Sequence, residues 1–219
     1  MITDYFPPLG LRLNTPSLEL RLPSYDDLGE LARVAAEGVH DPGTMPFVEP
    51  WTDQPPDERA LGVVQYNLRR LGEWTPRKWN LNFMVVHEGT VVGIQDMRAG
   101  DFAVTRQVGT GSWLGRDHQG KGIGTEMRAA VLHLAFEELG ALTAVSAAFE
   151  GNRASERVSE RLGYRRDGID VLAVRGQRVV ENRYRLERRD WEAHRTVPVT
   201  VTGVERCLPF FGLEESEGE

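Results

Sequence analysis

The sequence predicts a mixed α/β (α+β) domain in which one mostly antiparallel sheet is flanked by helices, and three observations lead there. Leu18 to Leu22 alternates apolar and polar, the period of a half-buried strand, and strand-like runs at 81–87 and 90–97 flank a hairpin signal. Runs with helical spacing at 25–37, 57–74 and 122–139 interleave with them. Neither an internal repeat nor a linker divides the chain, so these elements share one core.

In order, Leu18 to Leu22 reads as a strand ended by Pro23. Ser24 is placed to cap a helix that runs to Glu37, with Asp26 and Asp27 in its first turn. Residues 38–56 carry five prolines and read as a long loop, which Met45, Phe47 and Trp51 mark as ordered. A second helix is expected over 57–74. Strands at 81–87 and 90–97 meet at Glu88-Gly89, a hairpin signal, and 105–115 extends the meander. The helix at 122–139 is apolar nearly all round, so it should be buried, and Gly140 is placed to end it. A strand at 142–149, a short helix at 152–162 stopped by Gly163, and a closing hairpin around Arg175-Gly176-Gln177 complete residues 1–189. Residues 190–213 form an appendage with a strand expected at 197–201, and 214–219 is an acidic tail. The appendage, with Val197, Val199, Val201, Leu208, Phe210 and Phe211, is suited either to a subunit contact in a homo-oligomer or to covering the chain's own sheet edge.

The chain has 219 residues, 40% hydrophobic and 27% charged, with net charge −7, as expected of one soluble domain. No basic stretch argues for nucleic acid. No apolar run is long enough to span a membrane, and the N-terminus has no signal-peptide pattern, so a cytoplasmic protein is expected. The single Cys207 excludes an internal disulfide. The histidines form no ligand set: His133 lies four residues from Glu137 without a second His, so no metal is expected.

The segment Gly115-Arg116-Asp117-His118-Gln119-Gly120-Lys121-Gly122-Ile123-Gly124 opens the buried helix and reads as a phosphate cradle. Glycines let the backbone approach an anion, and uncapped N–H groups at a helix start bind it. Gly115 to Lys121 nearly spells a P-loop, but Gly122 stands where the magnesium-binding hydroxyl belongs. The dinucleotide fingerprint fails on spacing, because Gly120, Gly122 and Gly124 are each two apart.

Gln119-x-x-Gly122-x-Gly124, followed by Asn152-Arg153-Ala154-Ser155 and Leu162-Gly163-Tyr164, resembles the coenzyme A elements of the Gcn5-related N-acetyltransferase (GNAT) superfamily. The resemblance spans roughly residues 10–190 and is closest to the branch of ribosomal-protein N-terminal acetyltransferases. The strings from Asp101 to Gln107, Gly111 to Gly115 and Gly124 to Ala130, with His194-Arg195-Thr196, are similar to a sub-branch that includes a mycobacterial protein described as a succinyl-CoA transferase. The resemblance implies the GNAT fold, a sheet splayed at its centre. It also implies an acetyl- or succinyl-CoA co-substrate and direct attack by a primary amine of a protein or small molecule.

By that pattern Trp113, Leu114 and Gly115 offer backbone groups to pantetheine, and an N–H near Leu114 steadies the oxyanion. Gln119, Gly120, Lys121, Gly122, Ile123, Gly124 and Thr125 hold the pyrophosphate, and Asn152 and Ser155 the pantetheine arm. The family's glutamate on the strand before the loop is absent here, leaving Glu49, Asp101 and Glu150 as candidate bases. Its tyrosine acid is replaced by Ser159, so Ser155 and Ser159 are the candidates for that role. Glu49, Trp51, Gln95 and Asp96 are expected at the acceptor pocket, with Ser146 facing the cleft. Arg98 or Arg106 would meet a succinyl carboxylate. The absent acid and base leave a second reading open, a non-catalytic acyl-CoA sensor.

Overall fold

A computed structural model describes residues 1–213, and the acidic tail lies outside them. The chain forms strands β1 (Arg12–Asn14), β2 (Leu18–Arg21), β3 (Lys78–His87), β4 (Thr90–Gly100), β5 (Gln107–Leu114), β6 (Thr143–Phe149), β7 (Arg165–Val174), β8 (Gln177–Glu187) and β9 (Thr200–Thr202). Its helices are α1 (Tyr25–Glu37), α2 (Pro56–Gly72), α3 (Phe102–Thr105), α4 (Ile123–His133), α5 (Arg153–Arg161) and α6 (Arg188–His194). The nine strands among the described residues join one sheet, in the order β7-β8-β6-β5-β4-β3-β2-β1-β9.

Every pairing is antiparallel except β5 with β6. That parallel pair is held only at Gln107–Gly109 against Thr143–Val145. Beyond Gly109 the two strands part, and the gap is the central feature of the fold.

Local chemistry explains the elements. Ser24 caps α1 by accepting the Asp27 N–H, while the Asp27 carboxylate accepts the Ser24 N–H in return, a capping box. The hairpins at Glu88-Gly89 and Arg175-Gly176 place both turn residues at positive φ, the two-residue turn whose twist suits flanking strands. Gly140 takes φ +67 just after the buried helix. That helix continues past His133 as one wide turn, Leu134–Glu138, so His133 meets Glu138 at 3.6 Å rather than Glu137.

Two cores flank the sheet. The larger packs α4 against it, with Met127, Val131 and Phe136 fully or nearly fully enclosed. The smaller holds Leu31 and Val34 of α1 against Met84 and Ile94.

Two expectations need correction. The strand expected at 197–201 is instead Thr200–Thr202, because only those residues reach β1, where Leu13 pairs with Val201. The strand expected from 105 begins at Gln107. Asp101 and Arg106, both at positive φ, bracket the helical turn α3 before it. The short β1 carries too few residues for a periodic signal. In the appendage, β9 covers the chain's own edge, Cys207 and Phe211 are buried in the main core, and Trp191 stacks on Phe136 at 5.1 Å.

Candidate active site

Where β5 and β6 separate, a cleft of about 1030 Å³ opens. Trp113 and Leu114 line one side and Ala147 to Ser155 the other. The loop before α4 stands at its mouth, and His40 to Val48 at its rim.

The mouth is built from backbone. Gly122 precedes α4 at φ +88, a conformation that disfavours side chains, and no side chain caps the helix. The amides of Gly120 to Gly124 find no acceptor among the described residues. They converge at a helix N-terminus, the arrangement that holds phosphate. The coenzyme A pyrophosphate therefore fits what the residues offer. Thr125 and Asn152 line the same space. Asn152 spends its carbonyl oxygen capping α5, accepting the Ser155 N–H at 3.2 Å, and its amide N–H groups remain available.

Other residues expected on the donor side hold the scaffold. Gln119 donates to the Leu114 and Val39 carbonyls at 3.0 and 2.7 Å, tying β5 to the long loop. Ile123 is buried in the core, Lys121 is exposed, and Gly115 packs against Val34, where a Cβ would come within 2.7 Å of that side chain. Close approach matters again at Gly93, where a Cβ would meet the Trp113 carbonyl at 2.2 Å. This glycine lets β4 pass close against β5 at Trp113 and Leu114.

The two faces of the sheet give the cleft different characters. Residues directly opposite across a ladder share a face. Asn182 points toward α5, donating to Glu156 at 3.3 Å, so Ser146 and Tyr184 lie on that side and Glu181 on the other. Ile94 packs against α1, so Asp96, Arg98, Gly109 and Gly111 share the α1 side with Glu181. Gly111 leaves room for Asp96, whose carboxylate oxygens would lie 3.1 Å from any Cβ there. Arg98 holds that carboxylate at 2.8 and 3.0 Å. The α1 face is thus a flat floor of Gly109, Gly111 and Ala147, flanked by charge.

Burial raises the Asp96 carboxyl above its ordinary range, although Arg98 and the Gly111 N–H oppose the shift. Burial and neighbouring Asp170 raise Glu181 likewise, against Arg98. Glu181 lines the cleft and makes no ion pair among the described residues.

Above the floor, the rim is stapled from two directions. Trp51 packs between Phe47 and Trp113, with ring centroids 5.3 and 5.8 Å away. Arg175, at the tip of the β7–β8 hairpin, pairs with Asp53, donating from Nε at 2.8 Å.

Several expected site residues fall elsewhere. Asp101 sits at the far end of β4, paired with Arg77 at 2.7 Å, because its left-handed backbone turns it out of the sheet. Glu49 is exposed and outside the cleft lining, and Trp51 lies behind Trp113 rather than in the pocket. Gln95 is fully buried, its amide donating to the Asp96 and Gly111 carbonyls at 2.9 Å. Ser159 is fully buried and accepts from Arg128 at 3.1 Å. Arg106 points away, donating to the Leu139 carbonyl at 3.3 Å beside the Phe102 ring. Glu150, Ser146 and Ser155 do line the cleft.

Missed in the sequence were Glu181, Thr110 and Arg128. The signal for the α1 face was present in Gly109-x-Gly111, alternate glycines within a strand, which mark a close approach. The signal for Arg128 was an arginine set among Met127, Ala129, Ala130 and Val131 on a mostly apolar helix.

No helix among the described residues is long and apolar enough to cross a membrane, and no group of three His, Cys, Asp or Glu among them could hold a metal ion.

A splayed sheet with a bare helix N-terminus at its gap defines an anion-binding α/β fold. The model of the acetyltransferase (GNAT) domain matches residues 17–165, and the chain belongs to that family. Its activity class is accordingly N-acyltransferase, with an acyl-CoA as donor. The chain is 28% identical over 164 residues to the Bacillus subtilis protein named "Putative ribosomal N-acetyltransferase YdaF", covering 63% of this chain and 89% of that one. A GCN5-related N-acetyltransferase from Brucella melitensis shares the fold, with TM-score 0.67 and 19% identity over 84% of this chain and 81% of that one. The ribosomal L7/L12 α-N-protein acetyltransferase RimL, in complex with coenzyme A, shares it too. There the TM-score is 0.62 and the identity 16%, over 79% of this chain and 95% of that one.

Proposed function

We propose that this protein moves an acetyl or succinyl group from coenzyme A to a primary amine by direct attack. The amine approaches from the α1 face of the sheet. The observation that carries this is the division of the cleft: unpaired amides at its mouth for phosphates, and a carboxylate-flanked floor at its depth for a cationic acceptor.

The pyrophosphate rests on Gly120 to Gly124 and Thr125, and the pantetheine arm runs along Trp113 and Leu114 toward the apex of the gap. Glu181 takes the proton that the amine must shed, since a carboxyl raised toward neutral pH is a better base. Asp96, steadied by Arg98, adds negative charge that favours the ammonium form on arrival. Holding two substrates on either side of one gap supplies much of the rate by orientation. The names of the relatives support a protein N-terminus as the acceptor class, and the open rim supports entry of a flexible peptide end. Cytoplasmic action and a homo-oligomeric state belong to the same reading.

Of the two arginines considered for a succinyl carboxylate, only Arg98 lines the cleft. Calorimetric titration with acetyl-CoA and succinyl-CoA separates the donors. Succinyl-CoA binding that weakens on Arg98→Ala, while acetyl-CoA binding holds, assigns succinyl. Equal response of both donors assigns acetyl. The sensor reading draws on the absence of a carboxylate along β5 and on the burial of Ser159. It predicts tight binding of coenzyme A without turnover.

A further inference from the structure

Arg128 lies on α4 at the apex of the gap. Only 4% of it is exposed, yet it contributes to the cleft wall beside Thr110 and Ser146. Its Nη1 donates to Ser159 at 3.1 Å, and its Nε has no partner. Among the described residues no carboxylate pairs with it. Asp96, whose field reaches it, is held by Arg98, and buried Glu156 is engaged by Arg153 and Asn182. Tyr164, the other titratable neighbour, is buried with its hydroxyl 3.5 Å from that of Thr110, and burial holds it in its neutral form. A buried guanidinium without an anion is costly, and an anionic ligand group arriving beside it offsets that cost. Phosphates held at Gly120 to Gly124 leave the sulfur end of the arm to reach this apex.

We propose that Arg128 stabilises the thiolate of coenzyme A as it leaves. This rests on the donor reading above. The amine nitrogen bonds to the thioester carbon, and the tetrahedral intermediate passes its N–H proton to the Glu181 carboxylate. The C–S bond then breaks with its electron pair moving to sulfur. The resulting thiolate sits against the guanidinium and takes a proton from solvent on release. Fixed charge aimed at the atom where charge develops acts without reorganisation at the moment of reaction. Ser159, which touches the guanidinium, is the positioning residue.

The direct test is the ultraviolet absorbance of the thiolate of coenzyme A bound to the full chain, titrated with pH. Cys207, the protein's one thiol, does not interfere, because burial pushes it up to about 12. The wild-type complex is expected to ionise at least about one pH unit below free coenzyme A, a tenfold preference for thiolate. Arg128→Gln should abolish the shift, Arg128→Lys should retain part of it, and Ser159→Ala should reduce it. A wild-type midpoint equal to that of free coenzyme A, with binding confirmed by calorimetry, overturns the inference alone and needs no variant to fold. Absence of binding in calorimetry overturns the donor reading and this inference together.

Discussion

The two sides of the cleft are built by different means. The proposed donor side is nearly all backbone: the strand stretch at Trp113 and Leu114, and the free amides of Gly120 to Gly124 at a helix start. The proposed acceptor side is nearly all side chain: Asp96, Arg98 and Glu181 brought together from β4 and β8 across a floor of glycine and alanine. A backbone site binds an invariant ligand with little dependence on residue type. A side-chain site can be retuned one position at a time. The difference explains how one fold keeps its donor while acceptors vary.

Substitutions on the two sides should therefore separate binding from turnover. The largest effect is expected from Glu181→Gln, a drop in kcat of about 100-fold or more with the coenzyme A Kd unchanged, read by steady-state kinetics and calorimetry. The wild-type rate should fall with acid through a point above the ordinary glutamate value, because protonation removes the base and burial raises its pKa. The variant should lose that limb. Next comes Gly122→Val, which places a β-branched residue at φ +88 and should weaken coenzyme A by about 30-fold, roughly 2 kcal/mol, in calorimetry. Breaking the rim pair with Arg175→Ala should raise the acceptor KM about threefold and leave the donor KM alone, since exposed ion pairs contribute little.

The smallest expected effects are on the scaffold, and they should not distinguish the two sides. Ser24→Ala removes the α1 cap and should cost about 1 kcal/mol of stability in denaturant titration. Burial opposes ionisation of Asp27, but hydrogen bonds from Arg21 and Ser24 hold its pKa down at about 2. Its contribution is therefore present above the unfolded value, about 3.9, and is lost as pH falls through the folded one. Asp27→Asn should flatten the acid limb of stability without moving either KM.

The same contrast decides what the sequence disclosed. Gly120, Gly122 and Gly124 announce the donor side because a backbone site is contiguous and needs glycine at fixed spacing. Asn152 is legible as the start of its helix, which its side chain caps. Most of the acceptor side was not legible. Glu181, the proposed base, reaches the cleft through pairing of β8 with β6, and Asp101 and Glu49 look equally acidic on paper. Asp96 was expected there, and Arg98, two residues on along β4, shares its face by strand alternation, but Gly111 beneath it emerges only from the β4–β5 register. Ser159 sits at helical spacing from Ser155, yet the packing of α5 on α4 turns it onto Arg128 and away from the cleft. The sequence pattern found the long strands, missed β1 and began β9 three residues too early; the positions of these two three-residue strands depend on each other rather than on local pattern.

The central claim, that an acyl group passes across this gap to an amine, is tested most directly by thiol release from acetyl-CoA and succinyl-CoA. The assay offers a panel of primary amines that includes peptides with free N-termini. Release that depends on the amine, with acylated product of matching amount by mass spectrometry, is the predicted result. Tight binding of coenzyme A with no amine-dependent release from any member of the panel would contradict it and leave the protein a sensor.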